Sequence, residues 1–213
     1  MNNLGDVREN YTKSELSKED LAIDPIVQFE RWYQEVEKNK IIEPNAMTLA
    51  TVSASGQPSA RTVLLKGFSK HGFIFYTNYT SKKAQEIINH PQVSLLMWWK
   101  ELERQVRIEG TAQKVSQEVS SSYFQSRPRA SQISAWASPQ SQEIKEGYLT
   151  TKREQVESEF ADSEKIPCPH FWGGFIVKPS MIEFWQGRRN RYHDRYQYNL
   201  SDDNSWNAKR LAP

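Results

Sequence analysis

The sequence predicts an α+β fold, mainly antiparallel β, in which a barrel carries peripheral helices. Short extended runs fill the chain between residues 46 and 113 and again after residue 171, and such spacing is typical of antiparallel barrels. Helical patterns precede the first group of strands and separate the two groups. Seven Trp, nine Tyr and nine Phe indicate a β-rich core or a stacking surface for a flat ligand.

The composition narrows the class of protein. The chain has 213 residues, of which 25% are charged, and a net charge of +2, which is too small for a strongly basic nucleic-acid binder. No apolar run approaches the roughly 18 residues of a membrane span, and no signal peptide precedes the charged start. The single cysteine, Cys168, has no metal-ligand spacing around it. We therefore expect a cytoplasmic protein without a metal, a nucleic-acid partner or a membrane partner.

The N-terminal part divides into a segment and a helix. Residues 1–23 are charged and aperiodic, so we expect a mobile segment that can cover a ligand, followed by one domain over residues 24–213. Asp24 and Pro25 are typical of an N-cap and a first helical residue. Apolar residues at helical spacing then predict a first helix that ends near Asn39.

The remaining elements follow from periodicity and turn residues. The pattern predicts eight strands, at Met47–Val52, Arg61–Lys66, Gly72–Thr77, Val93–Trp99, Arg104–Gln113, Phe171–Val177, Ile182–Trp185 and Arg191–Tyr198. A turn-rich run, residues 53–58, connects the first two of them. Three helices are expected at Lys82–Asn89, from Ser116 to the Arg127-Pro128 pair, and at Gln142–Phe160.

The densest cluster of cations lies in residues 182–195, which contain four arginines, one histidine and Trp185. If residues 191–195 are extended, Arg191, His193 and Arg195 share one face of the strand. Cations on one face repel each other, so this pattern predicts a bound anion. The alternatives are a basic edge strand that discourages aggregation and a patch for an RNA or phosphate backbone.

Two further constellations are compatible with phosphate binding. Lys82 and Lys83 lie in the first turn of a predicted helix, where they oppose the helix dipole unless an anion lies between them. Arg61 and Lys66 mark the two ends of an apolar strand. Solvated lysines explain Lys82 and Lys83 equally well. For Arg61 and Lys66, strand-end charges that reach solvent are the better explanation.

A third constellation combines one cation with hydroxyl groups. Tyr123, Arg127 and Ser131 recur at four-residue intervals around a predicted helix end, and this combination suits a phosphate dianion. An ordinary polar helix terminus explains the same residues when the motif is taken alone.

Taken in order, these motifs resemble the pyridoxine (pyridoxamine) 5′-phosphate oxidase family. The resemblance extends over essentially the full chain, from Arg8 to Pro213, and rests on the blocks RTVLLK, FYTN, SKKA, LERQV, YFQSRPR, SQISAW, FWGGF, EFWQG, RYHDR and RLAP. It implies an FMN-binding split barrel that works as a homodimer with FMN at the subunit interface. It also implies oxidation of pyridoxine 5′-phosphate and pyridoxamine 5′-phosphate by dioxygen to pyridoxal 5′-phosphate and hydrogen peroxide, with ammonia from the amine, in vitamin B6 biosynthesis and salvage.

The resemblance assigns site residues position by position. It implies flavin contacts at Arg61, Thr62, Val63, Leu64, Leu65, Lys66, Tyr76, Thr77, Lys82, Lys83, Gln105, Gln140, Ser141, Trp185 and Arg195. It implies substrate contacts at Arg8, Glu9, Asn10, Tyr11, Lys66, Tyr123, Arg127, Ser131, Arg191, Tyr192 and His193. The catalytic pair would be Arg191, over the pyridine ring, and His193, on its polar substituents and a candidate acceptor of the alcohol or amine proton.

The chain departs from the family pattern at four positions. Tyr192 stands where leucine is usual, and Lys82 stands where arginine is common. Arg188 and Arg189 add charge to a loop that usually has fewer cations, and neither has an assigned role.

Three other functions remain open from the sequence. One is a non-catalytic split-barrel protein that binds a flavin or pyridoxal phosphate. Another is an RNA-binding module, suggested by the run RRNRYHDRYQY. The third is a related split-barrel enzyme that uses another reductant.

Overall fold

The computed structural model describes residues 9–213, so the predicted contact of Arg8 lies outside the described residues. The described chain has five α-helices: α1 (Pro25–Lys38), α2 (Lys82–Asn89), α3 (Gln117–Ser126), α4 (Arg129–Ala137) and α5 (Tyr148–Glu159). It has nine strands: β1 (Ala46–Val52), β2 (Pro58–Leu64), β3 (Gly67–Ser69), β4 (Gly72–Asn78), β5 (Gln92–Trp99), β6 (Arg104–Lys114), β7 (Trp172–Gln186), β8 (Asp194–Leu200) and β9 (Trp206–Leu211). Two short 3₁₀ turns cover Lys100–Leu102 and Arg189–Arg191.

The strands form one sheet in the order β2-β1-β5-β6-β7-β4-β3, with β8 paired to β7 and β9 paired to β8. The pairs β3–β4, β4–β7, β7–β8 and β8–β9 are antiparallel. The register places Tyr76 opposite Gly174 and Trp185 opposite Arg195. The predicted α+β class with a mainly antiparallel sheet is confirmed.

The chain divides into two compact units. The first contains the described residues up to Leu49, together with Ser94–Gly110 and Pro179–Pro213. In its core, the Trp32 ring meets Phe184 edge-on at 5.1 Å, and the buried Tyr198 hydroxyl donates to the Ala22 carbonyl at 2.7 Å.

The second unit contains Ala50–Val93 and Thr111–Lys178. One cluster of buried side chains joins its helices to the start of β7, and its members are Phe124, Ile133, Ala137, Val156, Phe160, Ile166 and Trp172. This cluster carries α3 and α4, which bear several of the predicted site residues.

Several elements follow the sequence prediction closely. Asp24 caps α1 by accepting from the Ile26 amide at 2.8 Å, and Pro25 is the first helical residue. Helix α2 has the predicted bounds, and α3 ends where Arg127 and Pro128 were expected to stop it. The alternation in β6 is also confirmed, because Val106 and Ile108 are fully buried.

The predicted helix over Gln142–Phe160 is wrong in its first part, since α5 begins only at Tyr148. Ser141 and Gly147 adopt the left-handed conformation, with φ of 71° and 80°, which a right-handed helix excludes. Helix α4 was not predicted. Pro128 both ends α3 and provides the extended N-cap of α4.

Three strand assignments also change. The two strands expected before and after Pro179 are the single strand β7, and β2 ends before Leu65 and Lys66. The strand expected from Arg191 begins at Asp194, because Asn190 and Arg191 have φ of 56° and 63°. Arg191 therefore does not continue the strand face of Arg195, and that predicted arrangement is wrong. Strands β3 and β9 were not predicted.

Candidate active site

A cavity of about 430 Å³ lies in the second unit, and we call it the Trp172 pocket. Its volume is within the range of small-molecule sites. It brings together ten predicted site residues: Thr62, Val63, Leu64, Lys66, Tyr76, Thr77, Lys83, Tyr123, Arg127 and Gln140. Sequence reasoning missed Asn78, Ser134, Ala135, Ser138 and Trp172, which also line it.

Three parallel aromatic rings form a flat wall of the Trp172 pocket. Tyr76 stacks on Tyr123 with ring centroids 3.9 Å apart, and Tyr76 stacks on Trp172 at 5.5 Å. Gly174 makes this packing possible, because a Cβ at that position would lie 2.9 Å from a Tyr76 ring carbon. The FWGGF block thus provides both an aromatic face and the space behind it.

Arg127 places an unsatisfied cation at this wall. Its guanidinium carbon lies 4.7 Å from the centre of the Trp172 ring, and its buried Nη1 has no hydrogen-bond partner in the described part of the chain. Burial lowers the pKa of Arg127, while Tyr123 and Cys168 oppose that shift. Because a guanidinium remains protonated in proteins, an anion is the group that best satisfies Nη1.

Lys83 is a half-buried cation whose hydrogen-bond partners are neutral. Its Nζ lies 3.0 Å from Gln140 Oε1 and 3.4 Å from both Thr77 Oγ1 and Ser81 Oγ. Burial and the neighbouring Arg61 lower the pKa of Lys83, and Glu86 partly offsets this. The Ser81 side chain caps none of the α2 amides, so the helix N-terminus beside Lys83 also favours an anion.

Arg61, in contrast, lies in a network around the buried Glu86. Its guanidinium donates to the hydroxyls of Thr51 and Ser59, each at 2.6 Å, and lies 3.3 Å from Glu86 Oε2. The exposed Lys82 reaches the same carboxylate at 3.8 Å. Glu86 was missed from the sequence, although its position four residues after Lys82 is the spacing of a helical ion pair.

Four other predicted residues of the second unit do not line the Trp172 pocket. Leu65 is buried in the core, and Lys82 is largely exposed. Ser131 lies in the first turn of α4, and Ser141 lies in the turn after it. Ser134, one turn later on α4, and Ser138, the C-cap of that helix, are the serines that line the pocket.

A separate cavity of about 490 Å³ lies in the first unit, and we call it the His193 pocket. It brings together the predicted substrate residues Glu9, Asn10, Tyr11, Arg191 and His193, with Arg188 and Asn190 beside them. Tyr192 lies next to this pocket but is 77% exposed.

Aromatic contacts hold the His193 ring. The Trp185 ring lies 4.6 Å away and the Tyr11 ring 5.8 Å away, measured between centroids. Tyr11 also meets Trp185 edge-on at 5.8 Å. Gly187 makes room for Tyr11, because a Cβ at Gly187 would lie 2.8 Å from its ring.

Burial and the positive charge of Arg191 lower the pKa of His193, and Asp194 partly offsets them. Arg191 is exposed, and it and Asn190 are consecutive non-glycine residues in the left-handed region. Such strain costs roughly 1–3 kcal/mol a residue and concentrates at functional sites.

Two buried carboxylates pair with arginines on β8 and near it. Glu183, whose side chain is 3% exposed, lies 2.8 Å from Arg195 and 3.3 Å from Arg107. Asp194 lies 2.8 Å from Arg188 and 2.9 Å from Arg210. Gln105 is half-buried on β6 in the same unit. The chain itself thus provides carboxylate partners for Arg188 and Arg195, two of the four arginines of this run.

Two kinds of feature are absent from residues 9–213. Over that range, no group of three or more His, Cys, Asp or Glu side chains is arranged to hold a metal ion. None of the helices in that range combines the length and hydrophobicity that crossing a bilayer requires.

Two family models together match most of the chain. Residues 34–154 match the model described as "Pyridoxamine 5'-phosphate oxidase". Residues 172–213 match the model described as "Pyridoxine 5'-phosphate oxidase C-terminal dimerisation region".

Curated relatives carry the same name. The chain is 53% identical over 210 residues to a pyridoxine/pyridoxamine 5′-phosphate oxidase of Crocosphaera subtropica, covering 97% of this chain and 98% of that protein. It is 48% identical over 215 residues to one of Salinibacter ruber, with both chains fully covered.

Solved structures share the fold. PhzG from Burkholderia lata, crystallised with tetrahydrophenazine-1-carboxylic acid, superposes with a TM-score of 0.86 at 27% identity, covering 93% of this chain and 98% of that one. A pyridoxamine 5′-phosphate oxidase-related, FMN-binding protein from Nostoc punctiforme superposes with a TM-score of 0.72 at 17% identity, covering 90% of this chain and 99% of that one. The split-barrel class expected from the motifs is confirmed.

Proposed function

Because the chain belongs to the pyridoxamine 5′-phosphate oxidase family, we propose that it oxidises pyridoxine 5′-phosphate and pyridoxamine 5′-phosphate to pyridoxal 5′-phosphate. The substrate loses two electrons and two protons, and dioxygen takes them up as hydrogen peroxide. With the amine substrate, water hydrolyses the imine and releases ammonia. The product is the active form of vitamin B6, so the enzyme would act in its biosynthesis and salvage.

The unsatisfied Nη1 of Arg127 is the observation that carries this proposal. A guanidinium with a buried, unpartnered nitrogen beside a wall of stacked rings suits a planar ligand that bears a phosphate. Arg127 donates to phosphate oxygens, and Tyr123 and Lys66 lie in the same pocket to complete the contact.

The same pocket fits the phosphate of FMN at a second position. Lys83 is half-buried among neutral acceptors at the uncapped N-terminus of α2, and these are features that a phosphate would satisfy. We assign the flavin contacts to the residues named for it above, with Lys83 as the main cation of this pocket, because Arg61 already pairs with Glu86. When bound, FMN supplies the oxidising chemistry, accepting the substrate's electrons and passing them to dioxygen.

Arg191 and His193 would contact the substrate's pyridine ring from the His193 pocket, which Glu9, Asn10 and Tyr11 also line. These groups hold the ring in one orientation, which converts a bimolecular reaction into a positioned one. We propose that this pocket of one copy and the Trp172 pocket of a second copy together hold one substrate. Trp185 restricts the His193 ring, so the histidine presents its polar edge consistently.

We further propose that the enzyme is a homodimer with FMN at the interface between the two copies. The match of residues 172–213 to a dimerisation region supports the dimer. The single cysteine is compatible with a reducing cytoplasm, where we expect the enzyme to work.

The proposal is tested with the purified full chain. Its absorbance should be that of a flavoprotein, and it should form one hydrogen peroxide per pyridoxal 5′-phosphate when given either substrate in air. A coloured protein without peroxide would favour the non-catalytic flavin binder. A colourless protein with salt-dependent RNA affinity would favour the RNA-binding module.

A further inference from the structure

The backbone N–H of Arg188 makes a contact that determines which ring nitrogen of His193 carries the proton. The Arg188 N–H donates to His193 Nδ1 at 3.1 Å. A ring nitrogen can accept a hydrogen bond only when it carries no proton. In the neutral imidazole, an accepting Nδ1 places the proton on Nε2.

The Arg188 side chain fixes the backbone that makes this contact. Its Nη1 lies 2.8 Å from Asp194 Oδ2, and its Nη2 lies 2.5 Å from Glu15 Oε1. Asp194 is itself held, since its Oδ2 accepts from the Leu16 amide at 3.1 Å and its Oδ1 from Arg210 at 2.9 Å. Arg188 is therefore tied both to the start of β8 and to the segment before α1.

Two aromatic rings restrain the orientation of the His193 ring, in addition to the hydrogen bond from the Arg188 amide. Trp185 lies 4.6 Å from it at an interplanar angle of 39°, and Tyr11 lies 5.8 Å from it at 56°. With Nδ1 occupied by the Arg188 amide, Nε2–H is the ring group that remains for a ligand of the His193 pocket.

We propose that Arg188 is a positioning residue that fixes His193 as an Nε2–H hydrogen-bond donor. On the basis of the proposed function, His193 then binds the substrate by donating a hydrogen bond to one of the substrate's polar substituents. His193 does not accept the alcohol or amine proton, because the ring's lone pair, on Nδ1, already accepts a hydrogen bond from the Arg188 amide.

The charges around His193 agree with a neutral ring. Protonation at Nδ1 would break the bond from the Arg188 amide and bring two N–H groups together. Burial and Arg191 also lower the pKa of His193, and Asp194 opposes them only in part. The charged and titratable side chains that line the cavities beside His193 are Glu9, Tyr11, Arg188, Arg191, Tyr192 and Arg210.

The tautomer can be read directly by ¹⁵N NMR of the flavin-loaded full chain labelled at its four histidines. The signal that disappears in His193→Gln identifies His193. We expect an unprotonated Nδ1 and a protonated Nε2 at pH 7. A proton on Nδ1, or a cationic ring, would overturn the proposal.

A pair of substitutions tests the donor role in turnover. Glutamine can place an amide N–H near the Nε2 position, whereas asparagine reaches only the Nδ1 position. We expect His193→Gln to retain at least about tenfold more kcat/KM than His193→Asn, since one hydrogen bond is worth roughly a factor of ten. Equal kcat/KM for the two variants would contradict the donor role.

Substitutions at Arg188 test the positioning role. Arg188→Met should let the His193 signals average between the two tautomers and lower kcat/KM about tenfold, with flavin content unchanged. Arg188→Lys, which can keep one of the two ion pairs, should restore most of the tautomer preference. The exposed neighbour gives the matched control, and Arg189→Met should leave the His193 spectrum as in the parent.

A parent-like His193 spectrum and kcat/KM in Arg188→Met would refute the positioning role. The parent spectrum and the Gln and Asn pair do not depend on how well that variant folds. The spectrum also decides the tautomer if the oxidase activity itself is absent, so failure of this inference is distinguishable from failure of the proposed function.

Discussion

The Trp172 pocket and the basic run of residues 182–195 both collect cations, but among the described residues carboxylates pair with cations only in the basic run. There, Glu183 and Asp194 lie within 3.3 Å of Arg195 and Arg188, two of the run's four arginines, and also pair with Arg107 and Arg210 outside it. In the Trp172 pocket, Arg127 has an unsatisfied nitrogen, and Lys83 meets neutral acceptors. Affinity for an anion therefore follows from missing internal partners and not from the density of positive charge.

The largest effect on turnover is expected at Arg127. Arg127→Met should lower kcat/KM for pyridoxine 5′-phosphate about 100-fold, because hydrogen bonds to charged groups contribute about 1.5–3 kcal/mol each. Flavin content should not change. Steady-state kinetics and the absorbance of the purified variant measure both quantities.

Arg127→Lys is the control for charge alone. It keeps the cation but loses the planar fork, so it should fall between the parent and Arg127→Met. If both variants kept the parent kcat/KM, Arg127 would not contact the substrate phosphate.

The next largest effect concerns stability in the basic run. Glu183→Gln removes the carboxylate that neutralises Arg107 and Arg195, and breaking a buried ion pair costs about 3–5 kcal/mol. Since these arginines are about one-third exposed, we expect about 2 kcal/mol, or a fall in Tm of roughly 4–8 °C. Thermal denaturation provides the measurement.

Glu157→Gln offers a matched comparison, because Glu157 pairs with Arg153 at 2.7 Å on the exposed face of α5. That surface pair should contribute no more than about 0.5 kcal/mol. Equal losses of stability in the two variants would mean that the buried Glu183 carboxylate stabilises the protein no more than a surface ion pair does.

Substitution of Lys83 should weaken FMN binding without lowering the stability of the flavin-free protein, whereas substitution of Glu183 should lower stability. Lys83→Met should weaken FMN binding about 10-fold, consistent with loss of one charged hydrogen bond, while the flavin-free protein keeps or raises its Tm. The reason is that burial already disfavours the charged lysine before an anion arrives. Fluorescence titration with FMN and a melting curve of the flavin-free protein test the two parts.

The exposed Lys82 is the comparison for Lys83. Lys82→Met should change FMN affinity less, because its ammonium is 64% exposed and pairs with Glu86. A larger loss for Lys82→Met than for Lys83→Met would reverse the assignment of the main phosphate ligand.

The smallest expected effect is on pH dependence. The pKa of His193 lies below its ordinary value, so the neutral ring persists to more acidic pH than free histidine allows. We expect kcat/KM to fall as the pH drops below the ordinary histidine range of about 6.5, with an inflection on the acidic side of that value. A substrate phosphate also titrates near pH 6 and adds its own inflection to the pH profile of kcat/KM. The inflection that disappears in His193→Gln is the one due to His193. A parent profile with its inflection above 6.5 would contradict the assignment.

The sequence anticipated the local features of the site better than its ion pairs. The Asp24-Pro25 cap, the bounds of α2 and the stop at Arg127 depend on neighbouring residues, and the structure reproduces each of them. The Tyr123 and Arg127 interval also placed both side chains in one pocket, because one helix end carries them.

The features that the sequence missed depend on distant residues. Glu183 neutralises Arg107, which is 76 positions earlier, and no local pattern announces that pairing. The left-handed turn at Asn190 and Arg191 likewise replaced an expected strand, because the alternating pattern of the run did not indicate it. The resemblance to a family therefore supplied the roles of Arg191 and His193, which periodicity alone could not assign.

Anaerobic reduction of the bound flavin tests the central claim most directly. Equal concentrations of pyridoxine 5′-phosphate and of pyridoxine without its phosphate are added to the oxygen-free protein, and the flavin absorbance is followed. We expect the phosphorylated compound to bleach the flavin at low concentration, whereas pyridoxine needs about 100-fold more, because the unsatisfied Nη1 of Arg127 selects the phosphate. Equal bleaching by both compounds, or none by either, would contradict it.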